Sequence, residues 1–162
     1  MKIYIAGPDV FEPNSIEIGK RYSKFCKDYG HEGLYPLDNI VDFSQNKHAI
    51  AKDIYQANVK LIHEADIVIA NLNPFRGKEA DSGTIWECGY AHALGKKVYG
   101  YMKNISPYLE QFSSNEKDFK NEIYLDKDGK TIEDFEHPIN LMIALSCQKI
   151  IQGSFEDVLK VL

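Results

Sequence analysis

IVIANLNPFRGKEADSGTIWECGYAHALGKKVYGYM, residues 67–102, decides the fold class. Ile67 to Leu72 is a near-continuous apolar run of strand length, the mark of a parallel strand covered on both faces. The polar loop NPFRGKEADSG follows and leads into the helical stretch DSGTIWECGYAHAL, residues 81–94. KKVYGYM then reads as the next strand. Parallel neighbours need such a crossover, so strand, helix and strand form one unit of a parallel sheet.

The same alternation extends in both directions. Lys2 to Ala6 is a short strand, and GPDVFEPNS after it has turn residues at both ends. Ser15 to Tyr29 places Ile16, Ile18, Tyr22, Phe25 and Cys26 near helical spacing, with Gly30 as the C-terminal stop. HEGLYPLDN holds a second short strand, and Ala49 to Glu64 a second helix. Towards the C-terminus come PINLMIALSC as a helix, QKIIQ as a strand and SFEDVLKVL as a helix with Ser154 as N-cap. Residues 104–136 are polar and weakly periodic, an excursion within the domain. The expected fold is α/β: a single domain over residues 1–162, built on a flavodoxin-like, doubly wound, five-stranded parallel sheet. Ligands of such sheets bind at the carboxyl edge of the strands. The loops after the first three strands all fall on that edge, as does the start of the helix carrying Glu87.

Bulk properties narrow the partners. The chain has 162 residues and a formal net charge of -5, and its basic residues are scattered. Phosphate neutralisation needs a concentrated basic surface, so nucleic acid and anionic membrane surfaces are disfavoured. No apolar run approaches the roughly 18 residues of a membrane span, and MKIYIAGP is too short for a signal-peptide core. Cys26, Cys88 and Cys147 lack metal-ligand spacing and read as reduced thiols, so a cytoplasmic location is expected. The five histidines show no H-x-x-x-H or H-E-x-x-H spacing, and neither G-x-G-x-x-G nor a P-loop is present. Metal, dinucleotide and nucleoside-triphosphate sites are therefore not signalled.

The anomaly is Glu87, an acid whose neighbours Ile85, Trp86, Cys88, Tyr90, Ala91, Ala93 and Leu94 suggest a buried helix. Two readings stand open. In one, Thr84 and Glu87 form a capping box and the acid is structural. In the other, Glu87 and Asp81, six residues earlier across the Gly83 turn, converge on one cavity. Paired carboxylates suit glycosidic chemistry: one attacks the electron-poor sugar carbon, and the other handles the proton of the leaving group. A separation of roughly 5 Å fits a retaining, covalent route. Tyr4 on the first strand is placed to hydrogen-bond a carboxylate, although aromatic residues favour strands in any case. Gly7 and Phe11 in the first loop, with Asn71, Asn73 and Phe75, are candidates for the walls of a substrate pocket.

YIAGPDVF (4–11), ADIVIANLNPFRGKEADSGTIWECGYAHALGKKV (65–98) and PINLM (138–142) together resemble the nucleoside 2-deoxyribosyltransferases. The resemblance implies that Glu87 is the nucleophile at the anomeric carbon of a 2'-deoxynucleoside, forming a covalent deoxyribosyl-enzyme that a second base resolves. It further implies that Tyr4 holds Glu87 and that Asp81 serves proton transfer at the base. The family's base-binding acid falls on Asn58. Asn140 and Met142 match residues that complete a neighbouring subunit's site, which implies a homo-oligomer, a dimer or larger. The substrates implied are 2'-deoxynucleosides and free purine or pyrimidine bases, with no metal or organic cofactor. One alternative is a nucleoside or nucleoside 5'-monophosphate N-glycosidase, disfavoured for phosphates because the first loop carries Asp9 and Glu12 and no cation. The other is a non-catalytic nucleoside-binding module.

Overall fold

The computed structural model describes residues 1–162. Seven strands and five α-helices alternate along the chain. They are β1 (Lys2–Ala6), α1 (Ser15–Asp28), β2 (Glu32–Leu34), α2 (Lys47–Glu64), β3 (Ile67–Asn71), α3 (Ser82–Ala93), β4 (Lys97–Met102), β5 (Lys117–Lys120), β6 (Ile123–Asp126), α4 (Leu141–Ser146), β7 (Lys149–Gln152) and α5 (Phe155–Leu159). Five strands form one sheet in the order β2-β1-β3-β4-β7, every pair parallel. This is the doubly wound α/β sheet expected from the alternation. The excursion contains a separate antiparallel hairpin, β5–β6, outside that sheet. Polar alternation there gave no periodic signal strong enough to show it.

Strand parity sorts the core into two layers. Ile3 and Ile5 of β1, with Ile67 and Ile69 of β3, pack on Ile18, Tyr22 and Cys26 of α1 and Phe155 and Val158 of α5. Tyr4, Ala6, Val68 and Ala70 face the other way, onto Ile62 of α2, Cys88 and Ala91 of α3 and Ile143 of α4. Parity thus decides that Tyr4 points toward the α3 face. A one-residue slip of β1 would turn it to the opposite layer.

Helix ends agree with their local chemistry. Asn46 caps α2 by accepting from the N–H groups of His48 and Ala49, so the helix begins at Lys47, two residues ahead of the start read from hydrophobic spacing. Gly30 follows α1 at φ 77, the left-handed conformation that favours glycine. Ser154 and Asp157 cap each other at α5. No helix is long and apolar enough to cross a membrane.

α3 differs from the buried helix that its composition suggests. Thr84, Cys88 and Ala91 are buried, but Trp86 and Leu94 are exposed at 44% and 39%. Trp86 stacks on Tyr90 at 5.0 Å between ring centroids and lies near Tyr55 of α2, forming an aromatic row along the outer face. Large aromatics on the outer face hid the amphipathic pattern, because ring stacking lets them occupy the solvent side.

Candidate active site

The carboxyl edge of the sheet holds a cavity of ≈470 Å³ beside β1 and the start of α3. Asp81, Gly83, Thr84 and Glu87 form its polar end, and Gly7, Val10 and Phe11 of the β1–α1 loop lie over it. Ile16, Leu37, Val41, Phe43 and Ile54 make an apolar wall, into which Asn39 and Asn58 bring amides. Aromatic and aliphatic walls around a few converging polar groups are the usual make-up of a small-molecule site.

At the polar end, the Tyr4 hydroxyl donates to Glu87 Oε1 at 2.6 Å. Tyr4 itself is fully buried. Burial pushes the Glu87 carboxyl up to about 7; the Tyr4 hydrogen bond works against that rise, and the nearby Asp81 charge adds to it. The Tyr4 phenol is driven well above its ordinary range, first by burial and then by Glu87. Tyr4 is therefore a donor that never ionises, and Glu87 is a carboxyl poised to ionise near neutrality.

The capping-box reading of Thr84 and Glu87 is corrected. Asp81 is the N-cap of α3: its Oδ2 accepts from the Thr84 backbone N–H and the Thr84 hydroxyl, both at 2.9 Å. The helix starts at Ser82, three residues earlier than a Thr84 cap requires, which sets Glu87 beyond the first turn. From there Glu87 no longer reaches the free N–H groups of the helix start, and its partner is Tyr4. The competing cap, an aspartate followed by Ser-Gly, is equally legible in the sequence.

Of the other candidates, Gly7, Phe11 and Asn58 line the cavity. Asn58 Oδ1 accepts from Asn39 Nδ2 at 3.4 Å, and Asn39 is anchored by donating to the Pro36 carbonyl at 2.8 Å. Asn71, Asn73 and Phe75 belong instead to an adjoining cleft between α1 and α5. Asp9 and Glu12 also line that cleft, so the acids facing the cavity are Asp81 and Glu87. None of the cavity's lining residues is Lys or Arg.

Asn140 and Met142 lie outside this cavity within the chain. Asn140 caps α4 by accepting from the Met142 N–H at 3.0 Å, and its amide donates to Glu133. Met142 is 70% exposed. Cys88 is fully buried and burial pushes its thiol up, so it offers no nucleophile. No cluster of three or more His, Cys, Asp or Glu is arranged to hold a metal ion.

Sequence reading missed the apolar wall built by Leu37, Val41 and Phe43 and the amide of Asn39. These residues sit in the 36–46 segment, which has no periodicity. Its only signal was a loop of unusual length after a short strand on the ligand-binding edge.

Residues 3–142 match the profile of the nucleoside 2-deoxyribosyltransferase family. The 2-desoxiribosyltransferase of Leishmania mexicana is 32% identical, with a TM-score of 0.77 over 98% of this chain and 97% of that one. The 2-deoxyribosyltransferase of Bacillus psychrosaccharolyticus shares the fold at 23% identity and a TM-score of 0.62, over 98% of this chain and 90% of that one. An uncharacterised protein of Schizosaccharomyces pombe is 34% identical over 119 residues, 71% of this chain but only 56% of the yeast protein. With the profile matched along most of its length, the chain belongs to the nucleoside 2-deoxyribosyltransferase family.

Proposed function

We propose that this protein transfers the 2-deoxyribosyl group between nucleobases of 2'-deoxynucleosides, with Glu87 as nucleophile. The observation that carries the proposal is the Tyr4–Glu87 hydrogen bond at 2.6 Å, in a cavity that Asp81 also lines. Glu87 attacks C1' as the bond to the base nitrogen breaks. The bonding electrons leave with the base, and Asp81 manages the proton that the base takes up. A second base attacks C1' from the vacated side, releases the Glu87 carboxylate and passes its proton to Asp81. Two displacements at one carbon retain its configuration. The missing 2'-hydroxyl eases charge development at C1', so carboxylates and a protonated base suffice.

Asn58 and Asn39 supply amides to the base, and the apolar wall supplies its stacking surface. Similarity to the Leishmania mexicana 2-desoxiribosyltransferase over nearly the whole chain supports the same transfer chemistry. The absence of Lys and Arg from the lining favours nucleosides over nucleoside 5'-monophosphates, because a phosphate beside Asp81 and Glu87 needs cationic or clustered donors. Hydrolysis remains the side reaction when no acceptor base is bound. Asn140 and Met142 serve the site of a neighbouring copy in a homo-oligomer.

The test is base exchange from deoxyinosine to adenine, then from thymidine to adenine, with wild type and Glu87→Ala. Deoxyadenosine from wild type alone is the expected result. Free base without exchange points to an N-glycosidase, and no turnover of any donor points to a binding module.

A further inference from the structure

The β1–α1 loop has two sides. Gly7, Val10 and Phe11 cover the Glu87 cavity, whereas Pro8, Asp9 and Glu12 line the neighbouring cleft of ≈600 Å³. Asp9 is the anchor on that far side. Its Oδ1 accepts from the Tyr22 hydroxyl of α1 at 3.2 Å, and its Oδ2 from Asn71 Nδ2 at the end of β3 at 2.9 Å. Both donors are neutral, and Asp9 takes part in none of the chain's ion pairs.

The anchor belongs to a longer series. The hydroxyls of Tyr22 and Tyr101 lie 3.3 Å apart. Asn71 Oδ1 accepts from Asn73 Nδ2 at 2.7 Å, and Asn73 Oδ1 accepts from the Lys103 N–H at 2.8 Å. Hydrogen bonds therefore run across the carboxyl edge from α1 to the end of β4, and Asp9 ties the loop into them. The fit is close: a Cβ at Gly7 would stand 2.7 Å from Asp9 Oδ2 and 2.8 Å from Asn71 Cβ. The loop lies flush on β3 because residue 7 has no side chain.

We propose that Asp9 is a positioning residue that pins this roof closed and so sets how much of the deoxyribosyl-enzyme is lost to water. The inference rests on the transferase reading above. In transfer, a base nitrogen bonds to C1' as the C1'–O bond to Glu87 breaks, and the proton of the base goes to Asp81. In hydrolysis, a water oxygen makes the same bond and gives its proton to Asp81. The products are then free 2-deoxyribose and the Glu87 carboxylate. The two outcomes differ only in which nucleophile reaches C1'. Val10 and Phe11 can exclude water only while the loop is held down.

The readout is the ratio of free 2-deoxyribose to deoxyadenosine, with deoxyinosine as donor and adenine as acceptor. Asp9→Ala removes both acceptors, and the ratio is expected to rise about tenfold, the size that a hydrogen bond to a charged group supports. Tyr22→Phe, which removes one hydroxyl, is expected to fall between Asp9→Ala and wild type. Asp9→Asn combined with Asn71→Asp reverses the donor and acceptor while keeping the tie, and is expected to hold the ratio at that of wild type. Amide hydrogen exchange over residues 7–11 should speed up in Asp9→Ala and stay near wild type in the double variant.

Exchange with an unaltered ratio in Asp9→Ala overturns this inference alone, as does a raised ratio in the double variant. Unchanged amide protection in Asp9→Ala overturns it whatever the turnover. Absence of base exchange in wild type overturns the transferase reading, and this inference with it.

Discussion

The Tyr4 hydroxyl and Glu87 Oε1 lie 2.6 Å apart although 83 positions separate the two residues in the chain. The pair joins the second turn of α3 to β1, the strand beside the sheet's central β3, and it directs one carboxylate oxygen. Glu87→Gln preserves size and a hydrogen-bonding oxygen but removes the proposed nucleophile. Base exchange is expected to fall on the order of 10³-fold or more, measured by chromatography of the nucleoside products. Residual exchange within tenfold of wild type would assign the nucleophile elsewhere.

The pH dependence follows from the ionisation of Glu87. In the proposed mechanism only the carboxylate attacks, and burial holds the group at about 7. kcat/KM is therefore expected to rise with pH through about 7 and then level off. The Tyr4 hydrogen bond lowers that value, so Tyr4→Phe is expected to move the rising limb to higher pH. A limb that stays in place in Tyr4→Phe would remove Tyr4 from this role.

Stability has the opposite sign. The folded-state value of about 7 lies above the ordinary 4.5, so the folded chain binds the proton more tightly than the unfolded chain. Stability associated with Glu87 is fully present below about 4.5 and is lost as pH rises through about 7. Glu87→Gln escapes that loss, and is expected to be more stable than wild type at pH ~8 by up to about 3 kcal/mol. The gap should close in acid. Denaturant melts at both pH values check this, and a less stable Glu87→Gln at the higher pH would contradict it.

Asp81 caps α3, and substitution can separate that duty from the acid–base role proposed for it. Asp81→Asn keeps an oxygen for the Thr84 N–H and is expected to melt near wild type, with exchange reduced roughly 10²-fold through loss of the acid–base group. Asp81→Ala loses both duties and is expected to cost about 1 kcal/mol in addition. Equal activity in Asp81→Asn and wild type would leave Asp81 as a cap alone.

Asn58 lines the cavity, and the role proposed for it is base choice. An amide donates and accepts, whereas a carboxylate only accepts. Asn58→Asp is expected to shift acceptor preference toward bases with an exocyclic amino group, raising the adenine-to-hypoxanthine rate ratio about tenfold. Competition between the two acceptors measures it directly. An unchanged ratio would place Asn58 away from the base.

The sequence by itself determined the class of fold and the identity of the acids. Ile67 to Leu72 is apolar on both strand faces, and only a sheet covered on both sides gives such a run a place to go. With helices between the strands, the carboxyl edge was legible as the ligand-binding edge. Glu87 stood out because a charge among apolar neighbours is costly without a purpose or partner, and Asp81 because it lies six residues earlier across the Gly83 turn. Tertiary structure alone decided the partners. Whether Glu87 met Thr84 or Tyr4 depended on where α3 begins and on the parity of β1, and local propensity fixes neither. Asn71 and Asn73 moved to the adjoining cleft for a related reason: their amides bond to Asp9 and the Lys103 N–H, across gaps of many residues. The apolar wall of residues 36–46 follows the same rule. A loop without periodicity carries no local signal, and its side chains acquire a common face only when sheet and helices fix the two ends.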